Sequence, residues 1–309
     1  MMRKKITIIG AGNVGATAAH WAASRGLGNV VLLDVVEGIP QGKALDLLQA
    51  GPVDEFSNIV SGSNDYQDSA NSDVVIITAG LARKPGMSRD DLLAKNVAIV
   101  QSCAEQAAKH SPDCVMIVVT NPIDAMVYTA FKVSGFPRER VVGMAGVLDS
   151  ARYRTFLAME LGIAPRDINA MVMGIHGDNM LPLVRLANVS GIPVTDLISA
   201  DRLAEIVKRT QHGGAEIVNH LKTGSAFYTP GLAAVEMAEA VLNDSKRLLP
   251  CAAYLEGEFG FSGCFLGVPV VLGSAGVERI VEFELTEEEK EAMVVSEQAV
   301  RGQMAATGL

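Results

Sequence analysis

Apolar residues in the first half of the chain follow two patterns that alternate. Residues 5–9, 29–33, 73–78 and 114–119 are nearly continuous apolar runs of strand length, and 141–142 is a shorter one. Runs without a polar face fit strands of a parallel sheet covered on both sides. Residues 13–24 instead have helical spacing, with Val14, Ala18, Trp21 and Ala22 on one side. Residues 38–48 and 88 to about 109 also read as helices. The second opens on Ser88, which can cap it, with Asp91 placed to answer. Pro122 stands where a further helix begins, at the position that favours proline. Strand and helix in alternation require right-handed crossovers and a parallel sheet with helices on both faces.

The pattern changes near Gly143. Helices are predicted over 148–161, 199–221, 232–242 and 286–303. Between them lie strands with hairpin-like breaks around 168–173, 248–255 and 268–272. The expected architecture is α/β: a doubly wound parallel sheet over residues 1–145, then an α+β domain over 146–309.

Composition narrows the class. Of 309 residues, 49% are hydrophobic and 20% charged, which is a folded rather than a disordered chain. The net charge of −9 argues against nucleic acid or an anionic membrane as partner. The longest apolar runs, 74–79 and 265–271, fall far short of the ~20 residues of a membrane helix. The basic start, MMRKK, imitates a secretory signal only until the glycines after Ile9. Cys103, Cys114, Cys251 and Cys264 are widely spaced, so free buried thiols in a reducing cytoplasm are expected, without disulfide or metal site.

The chemistry begins at Gly10-Ala11-Gly12-Asn13-Val14-Gly15. G-x-G-x-x-G alone is weak, because any tight strand-to-helix turn can contain glycines. Here it follows a predicted strand and opens a predicted helix, the Rossmann context in which a helix N-terminus receives a pyrophosphate. Asp34 closes the second strand, where ribose recognition belongs, and its charge favours NAD over NADP. His176 stands between glycines in Gly174-Ile175-His176-Gly177-Asp178, where a ring can project into a cleft as a general acid/base. His20, His110, His212 and His220 read as structural or solvated. Asp149 and Arg152, taken alone, read as a surface i,i+3 pair. Residues 83–89, RKPGMSR, form a basic loop that reads as a lid delivering arginine to an anionic substrate. Asn121, at a strand end, is a helix cap, a ligand, or both.

Taken together, these stretches resemble the lactate/malate dehydrogenase family over essentially the whole chain. The resemblance is carried by GAGNVG, LLDVVEG, ITAGLARKPGMSRDDLLAKN, VVTNPIDAM, SGFPRERVVGMAGVLDSARYR and GIHGDN. RKPGMSR and VLDSARYR are similar to its malate-oxidising members, in the branch whose sequences resemble lactate dehydrogenases. The resemblance implies NAD-dependent interconversion of (S)-malate and oxaloacetate, in the tricarboxylic acid cycle and by a cytoplasmic homotetramer, with a dimer the alternative. It implies His176 as proton donor and acceptor and Asp149 as its orienting partner. Arg152 would grip the C1 carboxylate, Arg89 polarise the carbonyl and Arg83 bind the distal carboxylate. Asn121 would contact both nicotinamide ribose and substrate, with Val119, Thr120 and Asn96 on the cofactor side. Ser225 matches the pocket-lining segment more loosely. A lactate or other 2-hydroxy acid dehydrogenase is the nearest alternative, and Arg83 argues against lactate. An NAD-dependent glycosidase would need a metal, and a redox-sensing NAD module would need no proton relay.

Overall fold

The computed structural model describes residues 3–81 and 89–309, with side chains from Asp91 onward in the second stretch. The first half alternates as its sequence pattern requires. It contains β1 (Lys5–Ile9), α1 (Asn13–Ser24), β2 (Asn29–Leu33), α2 (Ile39–Asp54), β3 (Val60–Ser63), β4 (Val74–Ile77), α3 (Arg89–His110), β5 (Val115–Val118), α4 (Ile123–Ser134) and β6 (Val141–Gly143). The second half continues with α5 (Gly146–Leu161), β7 (Ile168–Asn169), β8 (Val172–Met173), β9 (Leu181–Pro182), β10 (Asn188–Val189), β11 (Ile192–Pro193) and α6 (Val194–Leu197). Then come α7 (Ala200–Leu221), α8 (Tyr228–Leu242), β12 (Arg247–Glu256), β13 (Ser262–Gly273), β14 (Gly276–Ile280) and α9 (Glu287–Ala305).

Among the described residues one sheet of nine strands runs in the order β14-β13-β12-β6-β5-β4-β1-β2-β3. Its six N-terminal strands are parallel and follow the doubly wound order 3-2-1-4-5-6. Ile6 pairs with Val30 on one side and Val74 on the other. Successive side chains of these strands enter different cores: Ile6 and Ile8 join one, Ile9 the other. Burial on both faces is why the runs show no polar alternation. β12 joins the sheet antiparallel to β6 at Ala252 and Gly143, where a Cβ on Gly143 would stand 2.9 Å from that of Ala252. A third core, around Tyr153, Leu157 and Leu203, holds α5 and α7 together.

Several elements depart from the sequence expectation. α2 runs on to Asp54 and carries Pro52 within it, six residues beyond the predicted end at 48. α4 starts at Ile123, with Pro122 at its N-cap rather than its first position. The expected strand around 168–173 is two short ones, β7 and β8, in different sheets. β3 and β14 were not expected. β3 reads Val-Ser-Gly-Ser, and its Gly62 lies so close under α2 that a Cβ would come within 2.1 Å of the Pro40 carbonyl oxygen. Capping of α3 by Ser88 lies outside the described residues. All four cysteines are buried and free, and no helix among the described residues is long and apolar enough to cross a membrane.

Candidate active site

The glycine turn is shaped by packing at two positions and left open at the third. Gly10 has φ +106°, and a Cβ there would lie 2.6 Å from the Ala79 nitrogen. At Gly15 a Cβ would lie 1.8 Å from the Gly10 carbonyl oxygen, so α1 can approach β1 only without one. Gly12 has nothing within 4 Å of its Cβ position. Gly12 is also the N-cap of α1. No side chain caps that helix and no acid occupies its first turn. Its leading N–H groups are therefore available to an anion, and a ligand can approach the backbone at Gly12. Asn13 is exposed beside it, Val14 packs against the core, and Ala11 is buried.

Asp34 follows β2 and reaches the turn. Its Oδ2 accepts from the Ala11 N–H at 2.6 Å and its Oδ1 from the Val36 N–H at 3.0 Å. Lys43 Nζ donates to the Ala11 carbonyl at 2.6 Å. A half-buried carboxylate thus stands at the second strand's end, beside an exposed helix start. A pyrophosphate and ribose hydroxyls both find partners in this arrangement, and the residues present fit a dinucleotide.

The ends of β4 and β5 face the same edge, where strand order reverses between β1 and β4. Thr78 Oγ1 donates to the Gly10 carbonyl at 3.0 Å, and Thr120 Oγ1 to the Ala79 carbonyl at 2.7 Å. Val119 extends β5, its N–H donating to Ile77 at 2.9 Å. Asn96, 1% exposed on α3, accepts from the Leu81 N–H at 2.8 Å and donates to the Asn121 carbonyl at 2.8 Å. It clips the two strand ends together, and the Asn121 residue itself is exposed there.

The imidazole–carboxylate pair comes from two elements of the second half. Asp149 sits in the first turn of α5 and is buried. His176 lies in the loop after β8, and Gly174 fixes the loop's path. The Gly174 N–H donates to Gly267 of β13 at 2.8 Å, and the Gly267 N–H returns to Gly174 at 3.0 Å. Gly174 has φ +81°, and a Cβ there would stand 2.5 Å from Ser296 Oγ. His176 Nδ1 and Asp149 Oδ2 are 2.8 Å apart. A carboxylate only accepts, so Nδ1 carries the hydrogen and Nε2 is the basic nitrogen of the neutral ring. Arg152 Nη1 donates to Asp149 Oδ1 at 3.2 Å, with side chains 10% and 2% exposed respectively. That burial overturns the surface-pair reading of these two residues. Burial pulls the His176 pKa down, but the Asp149 carboxylate and then Asp124 push harder, so it ends above the ordinary value. The ring holds a proton more readily than free histidine.

Two residues of this site had no signal in the sequence. Gly213 of α7 lies against Arg152, and a Cβ there would meet Arg152 Cδ at 2.2 Å and Nε at 2.8 Å. Asp124, buried on α4, accepts from the His176 main-chain N–H at 3.4 Å. Arg83 lies outside the described residues, and Arg89 opens α3 with its side chain outside them too. Ser225 is exposed between α7 and α8. His20, His212 and His220 are exposed, and His110 is half-buried at the end of α3. Among the described residues no three or more His, Cys, Asp or Glu are arranged to hold a metal ion.

Comparison with known proteins agrees with this geometry. Residues 4–143 match the lactate/malate dehydrogenase NAD binding domain, and 146–307 the alpha/beta C-terminal domain of the same family. A malate dehydrogenase from Desulforudis audaxviator (strain MP104C) is 60% identical over 302 residues, 98% of each chain. The crystal structure of Cryptosporidium parvum malate dehydrogenase superposes with a TM-score of 0.97 at 46% identity, over 99% of each chain. The lactate dehydrogenase from the same organism, solved with lactic acid and nicotinamide adenine dinucleotide, gives 0.96 at 41% identity, covering 100% of this chain and 99% of that one. With both halves matched in order, this chain belongs to the lactate/malate dehydrogenase family.

Proposed function

We propose that this chain is an NAD-dependent dehydrogenase that interconverts (S)-malate and oxaloacetate. The observation that carries the reading is the buried Arg152–Asp149–His176 chain, which joins a carboxylate-binding cation to an oriented imidazole. The malate dehydrogenases among its relatives support the choice of substrate.

When bound, NAD supplies the hydride acceptor. Gly10, Ala11, Gly12, Asn13, Val14 and Gly15 hold its pyrophosphate, and Asp34 accepts from ribose hydroxyls. Val119, Thr120 and Asn121 line the nicotinamide side, with Asn96 holding that edge in shape. As malate loses its C2 hydride, His176 Nε2 accepts the hydroxyl proton. Asp149 keeps the Nδ1 hydrogen and balances the imidazolium charge. In reverse, His176 returns the proton to the ketone oxygen. Arg152 meets the C1 carboxylate with two parallel N–H groups, which a lysine cannot offer. Arg89 polarises the carbonyl and Arg83 takes the distal carboxylate; both roles rest on the sequence match.

Residues 1–145 are then the NAD-binding domain and 146–309 the substrate domain. A homo-oligomer is supported by the apolar side chains exposed on and beside α2, Val35, Ile39, Leu45, Leu48, Val53 and Ile59, and the choice of a tetramer rests on the family resemblance. A cytoplasmic location fits four free thiols. An NADH oxidation assay comparing oxaloacetate with pyruvate tests the reading. Oxaloacetate should be strongly preferred, and a preference for pyruvate would make the chain a lactate dehydrogenase.

A further inference from the structure

One buried acid next to the imidazole has no part in the steps above. Asp124 is the second residue of α4 and 1% exposed, between the fully buried Ile123 and Ala125. Its Oδ2 faces the His176 main-chain N–H at 3.4 Å, and its Oδ1 has no hydrogen-bond partner among the described residues. Burial costs this carboxyl its hydration, and the helix N-terminus and the His176 N–H offset that cost only in part.

The groups around Asp124 come from several elements. His176 follows β8, Asp149 and Arg152 are on α5, and Cys264 is on β13. Beyond Cys264 stands the Arg301–Glu297 ion pair of α9. With both acids ionised and His176 protonated, the set Asp124, Asp149, His176 and Arg152 is electrically neutral. With Asp124 uncharged, the same set carries an excess positive charge in a buried place. We propose that Asp124 is a positioning residue for His176, holding its main chain and supplying a second negative charge, beside Asp149, to the imidazolium. The role in turnover rests on the proposed function; the effect on the ring does not. Burial drives the Asp124 carboxyl up to about 7 against the pull of His176, so the two groups titrate in the same range and each titration depends on the charge of the other.

The test is Asp124→Asn, which keeps the shape and removes the charge. NMR of ring-labelled histidine reads the His176 titration directly, without substrate. The midpoint should fall by about one pH unit. The midpoint of kcat/KM for oxaloacetate reduction, which needs the protonated ring, should fall with it. At pH values above both midpoints the variant should then reduce oxaloacetate about tenfold more slowly, with NADH affinity unchanged. A merely structural acid would leave both midpoints where they are, and that result overturns the proposal. If the variant does not fold, the wild type supplies the answer: the Asp124 carboxyl carbon and the His176 ring should share an inflection, and independent titrations overturn the proposal. A midpoint that shifts as expected in the variant, with a wild type that turns over no oxaloacetate, would count against the malate reading alone.

Discussion

The glycine turn and the histidine cluster solve opposite physical problems. The turn between Gly10 and Gly15 works by leaving atoms out: two positions are too crowded for a Cβ, and Gly12 opens the backbone to a ligand. All its parts lie within six consecutive residues. The cluster works by adding charge where water is scarce. Its imidazole, two carboxylates and guanidinium come from α4, α5 and a loop after β8, and none is more than about one-fifth exposed. A backbone site is written locally and tolerates changes that keep its shape. A buried charge cluster is assembled only by the fold, and each member depends on the others.

The largest way to break this contrast is His176→Ala. It should lower kcat by roughly 10²–10⁴-fold, the range of general acid/base catalysis, while NADH affinity measured by fluorescence stays near wild type. Parallel loss of both would mean that the two regions are not separable. Next comes Arg83→Gln, because the sequence match gives Arg83 the second carboxylate of the substrate. Removing one member of a desolvated ion pair costs about 3–5 kcal/mol, roughly 10²–10³-fold or more in kcat/KM for oxaloacetate. Pyruvate activity should hold or rise, and an unchanged ratio of the two would remove Arg83 from specificity.

Gly213→Ala probes whether the cluster, like the turn, depends on an absent Cβ. The added carbon would meet Arg152 at 2.2 Å, so the guanidinium must swing from Asp149. An overpacking cost of about 1–3 kcal/mol predicts an oxaloacetate KM raised roughly tenfold with NADH binding intact. An unaltered KM would show that Arg152 does not grip the substrate from its present place. An effect of the same order, read on the cofactor instead of the substrate, is expected for Asp34→Ser. The serine loses a charged acceptor for ribose, and the ratio of NADPH to NADH use should rise about tenfold. A wild type that already prefers NADPH would refute the ribose role.

How far the sequence could be read follows the same division. β1, α1 and β2 match their predicted limits residue for residue, because continuous apolar runs and glycine boundaries are local signals. β3 was illegible since a strand of Val-Ser-Gly-Ser is specified by its fit beneath Pro40, not by its own polarity. β14, an edge strand, is held by pairing with β13 after a tight turn. Within the site, the glycine motif and Asp34 were legible from spacing. Asp149 and Arg152, judged on spacing alone, looked like a surface pair, since nothing in an i,i+3 separation reports burial. The roles proposed for them come from the family resemblance. Gly213 and Asp124 were silent because their meaning lies in one side chain brought against them from another element.

The joint between β6 and β12 has a mechanical consequence. β12 and β13 are laced together along nearly their whole length, whereas β6 and β12 register only at Gly143 and Ala252. Hydrogen-bonded pairing is thus continuous within each half of the sheet and falls to a single pair at this seam. α4 spans it, touching both β6 and β13, and acts as a splint. The glycine turn follows β1, whereas the His176 loop is bonded to β13 through Gly174 and Gly267, so any rotation at this seam would change the distance between them. Backbone amides around Gly143 should accordingly exchange with solvent faster than those of the neighbouring β5 and β13.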